Sequence, residues 1–272
     1  MSSTSAAIDQ PAAAVQPSAA RSRLVLVVYT AAIFVSALLL FSVQPLFTKM
    51  VLPRLGGSPA VWSVAMVFFQ SLLLAGYAYA HFLMQIKNRT IPVAVHLVLL
   101  VAAMLTLPLS IAGSWGEPPT SAYAFWLLGL FAVSIGLPFF ALAANNPLLQ
   151  AWFVRTGHPA GPDPYFLYAS SNIGSFLALL SYPVLLEPIF TLRTQNLMWT
   201  SGYGLLILLV VGCGALLLRS PALAVADRQT EETSAPAPIR ISSTHPRTSA
   251  ASSRSCPIPC CWSRCSRCAP RT

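Results

Sequence analysis

The feature that most constrains this chain is a succession of six apolar runs, Leu24–Val43, Ala60–Phe82, Ile91–Ala112, Ala122–Ala144, Phe166–Leu186 and Met198–Leu218. A hydrocarbon core of ~30 Å is crossed by about 20 helical residues, which is the length of each run. Within that core no water pairs with the backbone, so a spanning segment is either a helix or a strand of a closed barrel. The runs lack the alternating polarity of barrel strands. The expected fold is therefore all-α, a polytopic transmembrane helix bundle of about six spans. Only 8% of the residues are charged, against about 25% in soluble domains, which excludes water as the main solvent.

The flanks differ from this module, which occupies residues 21–219. Residues 1–20 are Ser, Ala, Pro and Gln with one charge, Asp9, too little apolar surface to fold, and are expected to form a disordered tail. Arg21 and Arg23 precede the first run in the manner of a signal peptide. That run exceeds the ~7–15 residues of a signal core and lacks a small-x-small site after it, so it reads as a retained span. Residues 220–238 read as a linker, and residues 239–272 as a low-complexity Ser/Arg/Pro/Cys tail.

The basic residues follow the ends of the apolar runs, a topology signal that leaves no expectation of a nucleic-acid partner. With the N-terminus inside, Arg21, Arg23, Lys87, Arg89, Arg155 and Arg219 lie inside, while Lys49, Arg54 and Arg193 lie outside. The positive-inside rule then places both termini in the cytoplasm of a cell inner membrane. Trp62, Trp115, Tyr123, Trp126, Tyr165 and Trp199 fall near predicted span ends, where interfacial aromatics gather. Ser170, Gly174 and Ala178 share one face of the fifth run, and Gly76 and Ala80 one face of the second. Such small residues let helices approach closely.

Signatures of soluble catalysis are missing: the chain contains no dinucleotide fingerprint, phosphate loop, zincin motif or nucleophile elbow. Seven acids, with only Glu231–Glu232 adjacent, give carboxylate-pair chemistry no seat. No catalytic residue, cofactor or metal is expected. Cysteines 256, 260, 261, 265 and 268 have poor zinc spacing and little apolar sequence around them. Cys213 reads as a small buried hydrophobe.

Polar residues in or beside the spans are the better candidates, because lipid penalises them. The stretch QPLFTKMVLPRLGGSPAVW contains Gln44 and Lys49 at the end of the first run. Pro45 is expected to end or kink that span, Pro53 and Gly56–Gly57 to turn, and Ser58 to cap the second helix with Pro59 behind it. In PFFALAANNPLLQAWF, proline is expected to break the helix, so that freed carbonyls line a cavity with Asn145 and Asn146. Asn172 lies beside the small-residue stripe, and Glu187–Pro188 closes the fifth run. The candidate polar membrane site is therefore Gln44, Lys49, Asn145, Asn146, Asn172 and Glu187.

Three ordered blocks carry a resemblance over about Val25 to Leu218. They are QPLFTKMVLPRLGGSPAVWSVAMVFFQSLLLAGYAYAH, PLLQAWFVRTGHPAGPDPYFLYASSNIGSFLALLSYPVLLEP and LRTQNLMWTSGYGLLILL. Together they resemble a bacterial family of membrane-embedded spermidine synthase-like proteins, in which a major-facilitator-like membrane region is fused to a polyamine aminopropyltransferase-like domain. The chain departs from that pattern at Ala151, where the family carries Arg, and at Asn145–Asn146, where it favours smaller or hydroxylated residues. The resemblance implies further spans and a final cytoplasmic synthase domain, and this chain has no positions for that domain's catalytic residues.

The expected role is thus a membrane module that anchors or regulates, with no enzyme activity of its own. Its partners would be the lipid bilayer and further membrane helices or a synthase domain in trans. The alternative is a half-transporter-like module that moves a small solute such as a polyamine. The tail is expected to have left its ancestral reading frame after Ala235. Reading the gene through its stop codon in all three frames tests this, since the expectation requires a long apolar continuation in another frame.

Overall fold

The structure is a computed structural model of the chain that describes residues 19–111, 115–116, 119 and 121–220. The predicted linker, the Cys-containing tail and most of the N-terminal tail lie outside these residues. The described part is helical, with no strand among the described residues. The helices are α1 (Ala19–Leu55), α2 (Pro59–Met84), α3 (Thr90–Met104), α4 (Tyr123–Phe131), α5 (Leu137–Arg155), α6 (Tyr165–Ser181), α7 (Glu187–Ile189) and α8 (Leu192–Leu218). Wider π turns at Ala132–Gly136 and Tyr182–Leu186 join α4 to α5 and α6 to α7. Five units are long and apolar enough to cross a membrane: α1, α2, α4–α5, α6–α7 and α8. The sixth, α3, is apolar but only 15 residues long.

Packing explains several departures from the sequence reading. α1 takes in Ala19 and Ala20, expected in the tail, and runs on through Pro45 and Pro53. Pro45 does not end it, because the residues beyond are held in the core: Leu46, Phe47 and Val51 are all buried. Phe47 meets Phe131 edge-on at 5.3 Å, and Phe131 meets Phe68 at 5.5 Å. The helix stops at Leu55, where Gly56 takes φ +70° and its N–H donates to the Leu52 carbonyl at 2.9 Å. Left-handed glycine is the usual exit from a helix. Ser58 then caps α2 as expected: its Oγ accepts from the Val61 N–H at 3.4 Å.

The third span falls short of its predicted end at Ala112. After Met104 the chain turns out of the helix, and Asn196 of α8 takes over the backbone pairing. The Leu109 N–H donates to Asn196 Oδ1 at 3.0 Å, and Asn196 Nδ2 donates to the Leu109 carbonyl at 2.7 Å. A buried peptide group thereby meets the requirement for full pairing without being helical. The fourth span runs past its predicted end to Arg155, with Pro147 inside an unbroken α5. Its irregular turn precedes Pro138, which enters α5 near the first position, where the missing N–H matters least. Leu148, Leu149, Trp152 and Phe153 are fully buried, and this packing carries the helix past Pro147.

The small residues set the helix contacts as expected. α1 lies against α6, α8 and α5, while α2 lies on α5 and α4. A Cβ at Gly174 of α6 would sit 2.6 Å from the Phe34 carbonyl of α1, and Ser170 Oγ donates to the Thr30 carbonyl at 2.9 Å. A Cβ at Gly76 would sit 2.7 Å from Ala143 Cβ on α5. One aromatic departs from its expected interfacial place: Trp199 is buried and donates from Nε1 to the Leu39 carbonyl at 3.0 Å.

Gly174→Val is expected to destabilise the bundle by about 1–3 kcal/mol, the usual effect of overpacking. Gly212→Ala, where a Cβ would meet only Val28 Cγ1 at an ordinary 3.5 Å, is expected to leave stability unchanged or slightly raised. Thermal unfolding of the two purified variants in detergent checks both.

Candidate functional site

Three of the six candidate residues come together in one groove near the α1–α2 turn. α1 supplies its floor with Phe41, Gln44, Pro45, Thr48, Lys49 and Leu52. α2 forms one wall with Trp62, Ala65, Met66, Phe69 and Gln70. The end of the fifth span forms the other with Leu179, Tyr182, Pro183 and Glu187. The cleft holds about 500 Å³, within the range of small-ligand sites.

Lys49 and Glu187 form an ion pair at its mouth. The Tyr182–Leu186 π turn immediately precedes Glu187. That turn contains Pro183, and its wider winding eases the clash of the proline ring with the preceding turn. Both charged side chains are partly exposed, 36% and 43%, so the pair adds only about 0–1 kcal/mol to stability. Among the described residues Asp163 is the other acid, and it belongs to the opposite end of the bundle, just before α6. Below the ion pair, Gln44 Nε2 makes one long bond to the Leu40 carbonyl at 3.5 Å. The Tyr182 hydroxyl is buried without a partner.

The asparagines go elsewhere. Asn145 is fully buried and turned toward α3, where its Oδ1 accepts from His96 Nε2 at 2.8 Å. Tyr79 and Trp152 are neighbours of the imidazole, with ring centroids 6.0 and 6.2 Å away. The Tyr79 hydroxyl, His96 Nδ1, Asn145 Nδ2 and Trp152 Nε1 are all buried without a protein partner. Asn146 points the other way, donating from Nδ2 to Ser171 Oγ of α6 at 2.9 Å. Neither asparagine lines the groove, which corrects the expectation of a proline-broken cavity: α5 is continuous here, so it frees no run of carbonyls. Asn172 is exposed on α6 and also lies outside the groove lining. It stands seven residues before Leu179 and so on the same helix face.

The opposite end of the bundle is basic and gathers the C-termini of α2, α5 and α8. Arg155 Nη2 donates to the Met84 carbonyl at 2.6 Å, Arg21 Nη2 to the Arg219 carbonyl at 2.6 Å and Arg89 Nη1 to the Ser220 carbonyl at 3.1 Å. Guanidinium groups here pair the last carbonyls and oppose the negative ends of the helix dipoles. His158 Nε2 joins them at 2.7 Å from Ser22 Oγ.

The sequence reading missed His96, Tyr182 and Asn196. An ionisable residue in the apolar run TIPVAVHLVLL was the available signal for His96. Nothing local marked Tyr182 or Asn196, whose roles depend on neighbours from other spans.

Comparison with protein-family models, curated proteins and solved structures finds no match to this chain. What the chain can do is therefore argued from its own geometry.

Removing either member of the His96–Asn145 pair leaves a buried polar group unmatched. His96→Phe or Asn145→Leu is expected to destabilise by about 1–3 kcal/mol. The double variant is expected to lose less than the sum, by roughly 0.6 kcal/mol, the usual coupling across membrane helices. A double-mutant cycle of unfolding in mixed micelles measures it.

Proposed function

We propose that this chain is the membrane-embedded module of a spermidine synthase-like protein, serving as an anchor and scaffold. The three sequence blocks support the family reading. The confinement of the groove to one end of the bundle supports scaffolding over conduction. All of its lining residues lie between positions 41 and 52 on α1, 62 and 70 on α2, and 179 and 187 in the fifth span, the half nearest the α1–α2 turn. Beyond it the interior is closed by fully buried Tyr29, Ile33, Phe153 and Tyr203. Most buried polar side chains there join helices to one another or cap their ends.

The orientation follows the positive-inside rule, with the arginine-capped end in the cytoplasm of the inner membrane. A synthase domain, or further helices, would then dock from that side. One observation favours the second reading, a half-transporter for a small cation such as a polyamine. Gln44, Lys49 and Glu187 converge on one cleft, and Asn172 continues the Leu179 face deeper along α6.

Proteoliposomes containing the purified chain separate the two. The anchor reading expects no uptake of labelled putrescine or spermidine, and no spermidine formed from putrescine and decarboxylated S-adenosylmethionine. Uptake that disappears in Lys49→Ala and Glu187→Gln would establish the transporter instead.

A further inference from the structure

We infer that the groove between α2 and the α6–α7 span is a binding site for a phospholipid with an ethanolamine headgroup. This is independent of the scaffolding role. The inference rests on the way polar and apolar groups are ordered with depth. At the mouth stand Lys49 and Glu187 with Trp62 at the lip. Five residues deeper on the first span is Gln44, about 7.5 Å below at the α-helical rise, and Tyr182 is its counterpart on the fifth span, at the far end of the π turn from Glu187. Eight residues deeper on the first span is Phe41, about 12 Å below, and Leu179 of α6 and Phe69 of α2 complete the apolar lining.

This order matches a phospholipid read from head to tail. The Lys49 ammonium takes the phosphate, and the Glu187 carboxylate takes the primary ammonium of ethanolamine, so a zwitterion replaces the internal pair without leaving a net charge. The Gln44 amide and the Tyr182 hydroxyl lie at the level of the ester carbonyls and can donate to them. Tyr182 lines the groove, is 4% exposed, and its hydroxyl has no protein partner, so a ligand oxygen reached by a small shift of the ring would supply the hydrogen bond that the protein leaves unmade. The deeper walls take the upper part of an acyl chain. The groove also opens sideways through apolar lips, with Trp62 48%, Met66 65% and Leu179 54% exposed. That favours a ligand entering from the bilayer over a water-soluble zwitterion.

The charges predict selectivity. A glycerol headgroup presents phosphate to Lys49 but gives Glu187 no cation. A choline headgroup supplies a cation with no N–H to donate. Of these three headgroups, ethanolamine alone satisfies both members of the pair by charge and by hydrogen bonding.

Trp62 at the lip reports occupancy through quenching by phospholipids brominated on the acyl chain. Its signal is taken as the difference between the full chain and Trp62→Phe, in detergent micelles. With acyl chains held constant, half-maximal quenching is expected at about tenfold lower mole fraction for ethanolamine than for choline or glycerol lipid, equivalent to ~1.4 kcal/mol. Glu187→Gln is expected to abolish that preference. Gln44→Leu/Tyr182→Phe, which keeps the ion pair, is expected to weaken all three lipids alike and retain the preference. Should Glu187→Gln not fold, the headgroup series and this second variant still decide the matter. Equal midpoints for the three headgroups overturn the proposal. So does efficient disulfide crosslinking between two copies carrying Gln70→Cys in a background without native cysteines, which would place a second chain in the groove.

Discussion

The contact on which the rest of the structure depends is the close approach of α6 to α1 at Gly174. The missing Cβ lets the α6 backbone lie against the Phe34 carbonyl, and Ser170 pins the same face to Thr30. Lipid offers no hydrophobic drive for two apolar helices to associate, so such close packing has to supply the attraction. It also fixes depth. With α6 seated at this height, the fifth span brings Glu187 beside Lys49, thirteen residues beyond the contact. The floor and one wall of the groove are therefore consequences of a glycine buried elsewhere.

The bundle handles its polar groups in two ways. At one end arginines and His158 are tied to backbone carbonyls and Ser22. Within the spans, most polar side chains bond between helices or back onto their own. Trp199 reaches Leu39, Tyr29 reaches the Cys213 carbonyl, and Asn196 holds the chain around Leu109. Among the described residues, four of the nine buried atoms without a partner surround His96 and a fifth is the Tyr182 hydroxyl of the groove wall, while Ser36, Asn146, Gln195 and Tyr203 contribute the rest. A group that lipid penalises and the protein leaves unpaired is where a membrane protein has room for function.

The fold was legible in the sequence because the bilayer imposes a length and a polarity that single spans must meet alone. The Ser58 cap, the Gly56 exit and the glycine faces at Gly76 and Gly174 are local rules of the same kind. Prolines are the exception: Pro45 predicts an end or a kink and Pro147 a break, whereas buried neighbours such as Phe47 and Trp152 carry both helices on past them. The candidate site was half legible. Gln44, Lys49 and Glu187 meet, but Asn145 turns to His96, Asn146 to Ser171 and Asn172 outward. A sequence orders residues along each helix. It does not say which neighbour each helix face will meet, and adjacent asparagines on a helix necessarily point in different directions.

Arg89 adds a temporal consequence. It lies between the second and third spans, yet its guanidinium pairs with the carbonyl of Ser220, just past α8. Arg21, before the first span, likewise pairs with the Arg219 carbonyl. Neither bond can exist before α8 has been delivered, because its acceptor lies just beyond that helix. Until then both cations stay with water at the membrane surface. Arrival of these two carbonyls ties Arg21 and Arg89 to the end of α8, so the arginines act as a clasp that fastens only once α8 has joined the earlier spans.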